Sequence, residues 1–250
     1  MQLKKPNKNI KPKNIGKKEQ QLRGLKLDKE TFKLIRNKES KEFKIGVEGT
    51  KRLHYKSQRA IDDGLKAANW RHTGTKCCIL NRSAFAKRSH TRFIEILKQN
   101  KNQNKSVLVV GPGYGYEAKH IKDNIKDIKI DAYDIIDTIH QQYKNNIDNI
   151  FVSEKGIENY VNKEMIGKYD GITAVFSAGY WTNYPERNII KMMLMLKPKG
   201  TAIITVQEPM YRIDNLNWLL KKLKIDNMFS IDLAEKDDID LDNLIITRKR

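Results

Sequence analysis

The chain has 250 residues, enough for one large domain or a domain with a smaller attachment. No run approaches 18 apolar residues, which excludes a spanning helix, and two adjacent cysteines, Cys77 and Cys78, exclude a disulfide framework and point to a reducing, cytoplasmic setting. Charge is unevenly placed. Residues 1–100 hold 27 Lys+Arg against 9 Asp+Glu, so 18 of the 19 net positive charges lie there, while residues 101–250 are almost neutral. That asymmetry points to a polyanionic partner docking on the N-terminal part.

Residues 1–27 mix lysines with Asn, Pro6, Pro12, Gly16 and Gly24 and offer little to bury, so a disordered basic arm is expected. Residues 28–100 read as a basic, mainly helical accessory or lid region. Asp28 can cap a short helix, 37–50 reads as a linker or hairpin, and 53–68 carries a helical stripe. Residues 70–78 form a turn, and 79–98 form a helix in which Phe85, Phe93, Ile94 and Leu97 share a face. His54, His72 and His90 are evenly spaced, which we read as coincidence, and adjacent cysteines are poor ligands for one metal ion, so no metal is expected.

From residue 101 onward the pattern switches repeatedly between apolar runs and helical stripes. Strands are expected at 106–110, 128–133 (closed by Asp134), 150–152, 171–176 and 201–206. Helices are expected at 117–126, 137–145, about 157–161, from Pro185 to Leu196, and 214–223. Residues 229–233 and 244–247 complete the set as an antiparallel hairpin at a sheet edge. The expectation is an α/β fold, a doubly wound and mostly parallel seven-stranded sheet.

The first strand runs into Gly111, Gly113 and Gly115, alternating in GPGYGYE, before an amphipathic stretch. A side chain at Gly111 or Gly113 would keep a ligand off the backbone, and Gly115 would let the next helix approach the strand. Asp134 ends the second strand, 19 residues after Gly115, where a carboxylate can accept from both hydroxyls of a ribose. Asp131, its nearer rival, lies inside the strand pattern. Glu117 directly after the turn repels a pyrophosphate and suits a cofactor with a positive end, which favours S-adenosylmethionine (SAM) over a dinucleotide.

Residues 103–250 thus resemble the class I, Rossmann-like, SAM-dependent methyltransferases. The family's glycine motif is matched by Val110–Glu117, its ribose-binding acid by Asp134, and its L-K-P-x-G element by Leu196–Gly200. The resemblance implies SAM as cofactor, held by Gly111, Gly113, Gly115, Glu117, Asp134 and its neighbour Ile135, Glu154 and Ser177. The clear Asp that the family carries after strand three is missing near Ser153–Glu154. The loop after strand four, FSAGYWTNYPER, matches the family's methyl-facing loop and supplies Tyr180, Asn183 and Tyr184 as catalytic candidates, with Trp181 against the substrate.

That loop lacks the Asn/Asp-Pro-Pro-Tyr/Phe of amino-methylating enzymes, and the Asp of Lys-Asp-Lys-Glu ribose methylating enzymes is absent. Arg82, Arg88 and Arg92, with Phe85 and Phe93 between them, are candidates for gripping phosphates and stacking bases. The reading is a methyltransferase acting on RNA. A protein or small-molecule acceptor is the alternative, and RSAFAKRSHTRF is similar to the pre-core segment of CheR-like protein glutamate methyltransferases. An inactive methyltransferase-fold protein, serving as an RNA-binding or structural partner, is the third.

Overall fold

A computed structural model describes residues 84–100, 104–113, 115–134, 139–152, 157, 163–179, 185–234 and 241–249. The expected arm, the short helix capped by Asp28, the linker or hairpin at 37–50, the helix at 53–68 and the turn at 70–78 lie outside these residues, as does most of the short helix at 157–161.

The described chain begins with helix α1 (Ala84–Gln99), then strand β1 (Ser106–Val110), helix α2 (Tyr116–Asn124) and strand β2 (Lys129–Asp134). Helix α3 (Gln141–Lys144), β3 (Asn149–Val152), β4 (Tyr169–Ala174), α4 (Pro185–Met195) and β5 (Leu196–Gln207) follow. Helix α5 (Pro209–Lys222), β6 (Phe229–Leu233) and β7 (Leu241–Arg248) complete it. Among the described residues the seven strands form one sheet in the order β3-β2-β1-β4-β5-β7-β6. Strands β1 to β5 are mutually parallel, and β7 enters antiparallel between β5 and β6. The expected edge hairpin is present.

Alternation along the strands sorts the core into two layers. Val107 and Val109 face α1 and α2 with Phe93, Leu97 and Ile121, whereas Leu108 and Val110 face α4 and α5 with Ile190, Met193 and Leu216. Phe93 is fully buried in the first layer, so it is a core residue and does not stack on bases as the sequence suggested. Gly171 of β4 permits this closeness: a Cβ there would stand 2.8 Å from the Phe93 ring and 2.7 Å from Leu97. Helix α1 therefore runs antiparallel to β4, with its C-terminal half near the strand's start and its N-terminal half toward the sheet's C-terminal edge.

Several boundaries differ from expectation for identifiable reasons. Helix α5 starts at Pro209, five residues before the expected Asp214, because proline takes its first turn after Glu208 turns left-handed (φ 50°). Helix α3 starts only at Gln141, since extended His140 caps it by accepting from the Gln142 amide, and it ends at Lys144. Strand β4 begins two residues early and ends at Ala174, where the chain turns through Phe176 (φ 50°). The Lys197–Gly200 turn lies within β5 as an irregularity: Tyr169 pairs with Leu196 but Gly171 with Thr201, and Lys199 is left-handed.

Candidate functional site

The strand order reverses between β1 and β4, since β1 leads outward to β2 while β4 leads the other way. In an open parallel sheet the loops leaving such a pair diverge and open a crevice at the strands' C-terminal ends. The glycine turn leaves β1 there, Asp134 ends the adjacent β2, and Ser177 to Gly179 leave β4.

The turn's backbone explains its composition. Gly111, Gly113 and Gly115 all have positive φ (68°, 53° and 91°), where side chains are strained. The Gly111 amide donates to the Tyr133 carbonyl at 2.8 Å, tying the turn to the end of β2, and the Gly115 amide donates to the Pro112 carbonyl. Two of these glycines also have protein neighbours that a side chain would meet. A Cβ on Gly111 would stand 2.4 Å from the Ser177 Cβ, so this glycine admits the β4 loop. A Cβ on Gly115 would meet Ile139 at 2.9 Å and Tyr143 at 3.1 Å, so it admits the segment after β2.

Asp134 is half-buried at the last position of β2, in register with Val152. Asp131, three residues earlier, is buried and fully engaged. Its carboxylate accepts from Lys168 (2.8 Å), the Tyr169 hydroxyl (2.7 Å) and Asn149 (2.8 Å). Burial pushes its pKa up, but those hydrogen bonds and the Lys168 charge outweigh burial and hold it below 3.8. Asp131 is thus a fastening between strands, whereas Asp134 occupies the C-terminal end of β2 beside the β1–β4 reversal.

Glu117 sits in the first turn of α2, where its charge suits the helix dipole. Ser177 is half-buried with its Oγ covered and lacking a hydrogen-bond partner among the described residues. Ile135, Glu154, Tyr180, Trp181, Asn183 and Tyr184 lie outside the described residues, as does Arg82. Arg88 and Arg92 are exposed on α1, away from its core face, and Arg92 pairs with Glu95 at 3.3 Å.

One side chain near the glycine turn was set aside in the sequence. His90, on the inner face of α1 one turn before Phe93, is fully buried, and its Nε2 lies 3.3 Å from Glu117 Oε1. The signal was its place in the apolar stripe with Phe93 and Leu97. Nearby on α2, His120 has its pKa lowered below 6.5, first by burial and then by the charges of His90 and Lys87. No group of three or more His, Cys, Asp or Glu able to hold a metal occurs among the described residues. A separate cleft of about 400 Å³, lined by Leu97, Asp170, Lys199 and Thr201, lies at the opposite edge of the sheet. It is remote from the glycine turn.

Topology, glycine turn and strand-end carboxylate together define the class I, Rossmann-like SAM-methyltransferase fold, which this chain has. No family model and no curated protein sequence matches it. Solved structures do. The plantazolicin methyltransferase BpumL, in complex with S-adenosylhomocysteine (SAH), aligns at TM-score 0.58 with 13% identity, over 82% of this chain and 100% of that one. BamL, with SAH and a triazolic desmethylplantazolicin analogue, gives 0.53 and 12%, over 88% and 100%. The N-methyltransferase NodS of Bradyrhizobium japonicum WM9, also with SAH, gives 0.51 and 13%, over 74% and 97%. No described helix is long and apolar enough to cross a membrane.

Proposed function

We propose that this chain is a SAM-dependent methyltransferase whose acceptor is RNA, docked through the basic first 100 residues. The observation that carries the methyl-transfer reading is the crevice itself: three left-handed glycines at the β1–β4 reversal, with Asp134 at the adjacent strand end. The residues fit the cofactor. Ser177 Oγ is a covered polar atom without a described partner beside Gly111, Asp134 can accept from sugar hydroxyls, and Glu117 opposes an ammonium rather than a phosphate.

SAM supplies an electrophilic methyl on a sulfonium. The chain's own part is to hold the acceptor in line and to exclude water. We assign the sugar to Asp134 with Ile135, the adenine side to Glu154, and the charged amino-acid end to Glu117 and Ser177. Tyr180, Asn183 and Tyr184 are assigned to orienting the acceptor, and Trp181 to covering it. Calorimetry with SAH tests this reading. The wild type binds, and Asp134→Ala loses roughly 100-fold in affinity, as expected when a charged acceptor of two hydroxyls is removed. A wild type that does not bind SAH overturns it.

The charge imbalance supports RNA over other acceptors, with Arg82, Arg88 and Arg92 as phosphate contacts. Binding to single-stranded RNA should then weaken steeply between 50 and 200 mM salt, by roughly 10³-fold if six or more phosphates are engaged. Deleting residues 1–27 should flatten that slope. A second reading, a small peptide or small-molecule acceptor, is supported by the likeness to BpumL and BamL, solved with desmethylplantazolicin analogues. Salt-insensitive or absent RNA binding selects it.

A further inference from the structure

We propose that His90 is a positioning residue that fixes the Glu117 carboxylate toward the ammonium of the cofactor's amino-acid end. This inference rests on the cofactor reading above. Glu117 is two residues past Gly115, and its side chain is only 14% exposed. A largely covered carboxylate is costly unless something donates to it. Among the described residues its polar contact is His90, whose ring is fully buried and whose Nε2 lies 3.3 Å from Oε1. That contact meets the distance of an ion pair without the alignment of a hydrogen bond, and neither ring nitrogen has another hydrogen-bond partner among the described residues. An imidazole with both nitrogens buried is poor material for a core, where a leucine would serve better.

The helix that carries His90 is built as a rigid mount. One residue earlier, Ser89 Oγ accepts from Asn243 Nδ2 at 2.6 Å, and Asn243 Oδ1 accepts from Thr205 at 2.8 Å. The N-terminal half of α1 is thereby pinned to β5 and β7, while Phe93 and Leu97 seat its other half on Gly171. Glutamate has three side-chain torsions. Left alone, Glu117 would turn to solvent. A buried imidazole on a separate, pinned helix stands against one carboxylate oxygen and leaves the other to face a ligand at the glycine turn.

The test is calorimetry with two probes, SAH and 5′-methylthioadenosine, which lacks the amino-acid portion. His90→Leu should weaken SAH about tenfold, the scale of one polar contact to a charged group, and leave methylthioadenosine unchanged. His90→Gln, whose amide reaches the Nε2 position, should stay within about threefold of wild type for SAH. Glu117→Gln should show the same selective loss, and His90→Leu added to it should cost nothing more. His90→Asn, too short to reach Glu117, repeats the test should the leucine variant not fold. Wild-type SAH affinity in His90→Leu or His90→Asn overturns the proposal, as does equal loss of both probes or additive loss in the double variant. If the wild type binds methylthioadenosine but not SAH, the proposal falls while the nucleoside site stands. If it binds neither, the cofactor reading itself has failed.

Discussion

The two edges of the sheet treat polar groups differently. At the N-terminal edge of the parallel strands, charges are engaged by partners within the chain. Asp170 is buried and accepts from the Ser106 amide (2.8 Å), the Ser106 hydroxyl (3.1 Å) and Lys197 (2.7 Å). Asp148 accepts from the Ile130 amide, and buried Arg248 donates to the Leu196 carbonyl at 2.6 Å, with burial lowering its pKa to about 10. At the C-terminal edge the accounting is open. Ser177 Oγ and both His90 nitrogens lack described hydrogen-bond partners, as do Glu186 Oε2 and Arg212 Nε, although those last two residues pair through other atoms. At the first edge Asn100 Nδ2, beside Asp170, is also without a described hydrogen-bond partner, so the difference between the edges is one of degree. The first edge fastens the strands together, and the second holds more of the buried polar atoms that the fold leaves open.

Substitutions at the two edges should therefore separate stability from binding. Asp170→Ala removes the acceptor of three donors and leaves Lys197 beside buried surface; it should cost about 3–4 kcal/mol in urea unfolding, with little change in SAH affinity once folded. Equal loss of binding in the folded fraction would break the separation. Asp131→Asn should cost about 2 kcal/mol at pH 7. Its pKa is depressed in the folded state, so its stabilisation is complete above 3.8 and fades as pH falls from there through the folded value. The gap between wild type and variant should narrow steadily as pH is lowered below 3.8; a gap that stays constant with pH would assign the effect to packing. Ser177→Ala should move stability by less than about 0.5 kcal/mol, because no described bond is lost, yet weaken SAH about fivefold. A clearly destabilised Ser177→Ala would place that hydroxyl in the frame instead.

What the sequence disclosed follows from how local each signal is. SVLVV, the glycine turn and the stripe after it occupy adjacent residues, so β1 and α2 were legible almost to the boundary. Asp134 was legible because a strand's last residue is marked by the end of its apolar run. Asp131 could be set aside because it interrupts that run, although its bonds to Lys168 and Tyr169 depend on a strand pair far apart in the chain. Pro209 was missed as a helix start although Pro185 was read correctly: a left-handed glutamate before it carries no local mark. His90 was missed for a different reason. Its partner is 27 residues away on another helix, and spacing to other histidines was the wrong comparison. Phe93, flanked by basic residues, was weighed as an RNA contact because sequence alone does not show Gly171 clearing a place for it.

The insertion of β7 between β5 and β6 has a consequence for synthesis on the ribosome. Strand β6 is made before β7 yet, among the described residues, is hydrogen-bonded into the sheet through β7. Until residues 241–248 have emerged, β5 presents a bare, apolar, hydrogen-bonding margin to whatever is nearby, and β6 has nowhere to attach. Nascent chains stalled before that point should be the ones that chaperones hold and that stick to one another.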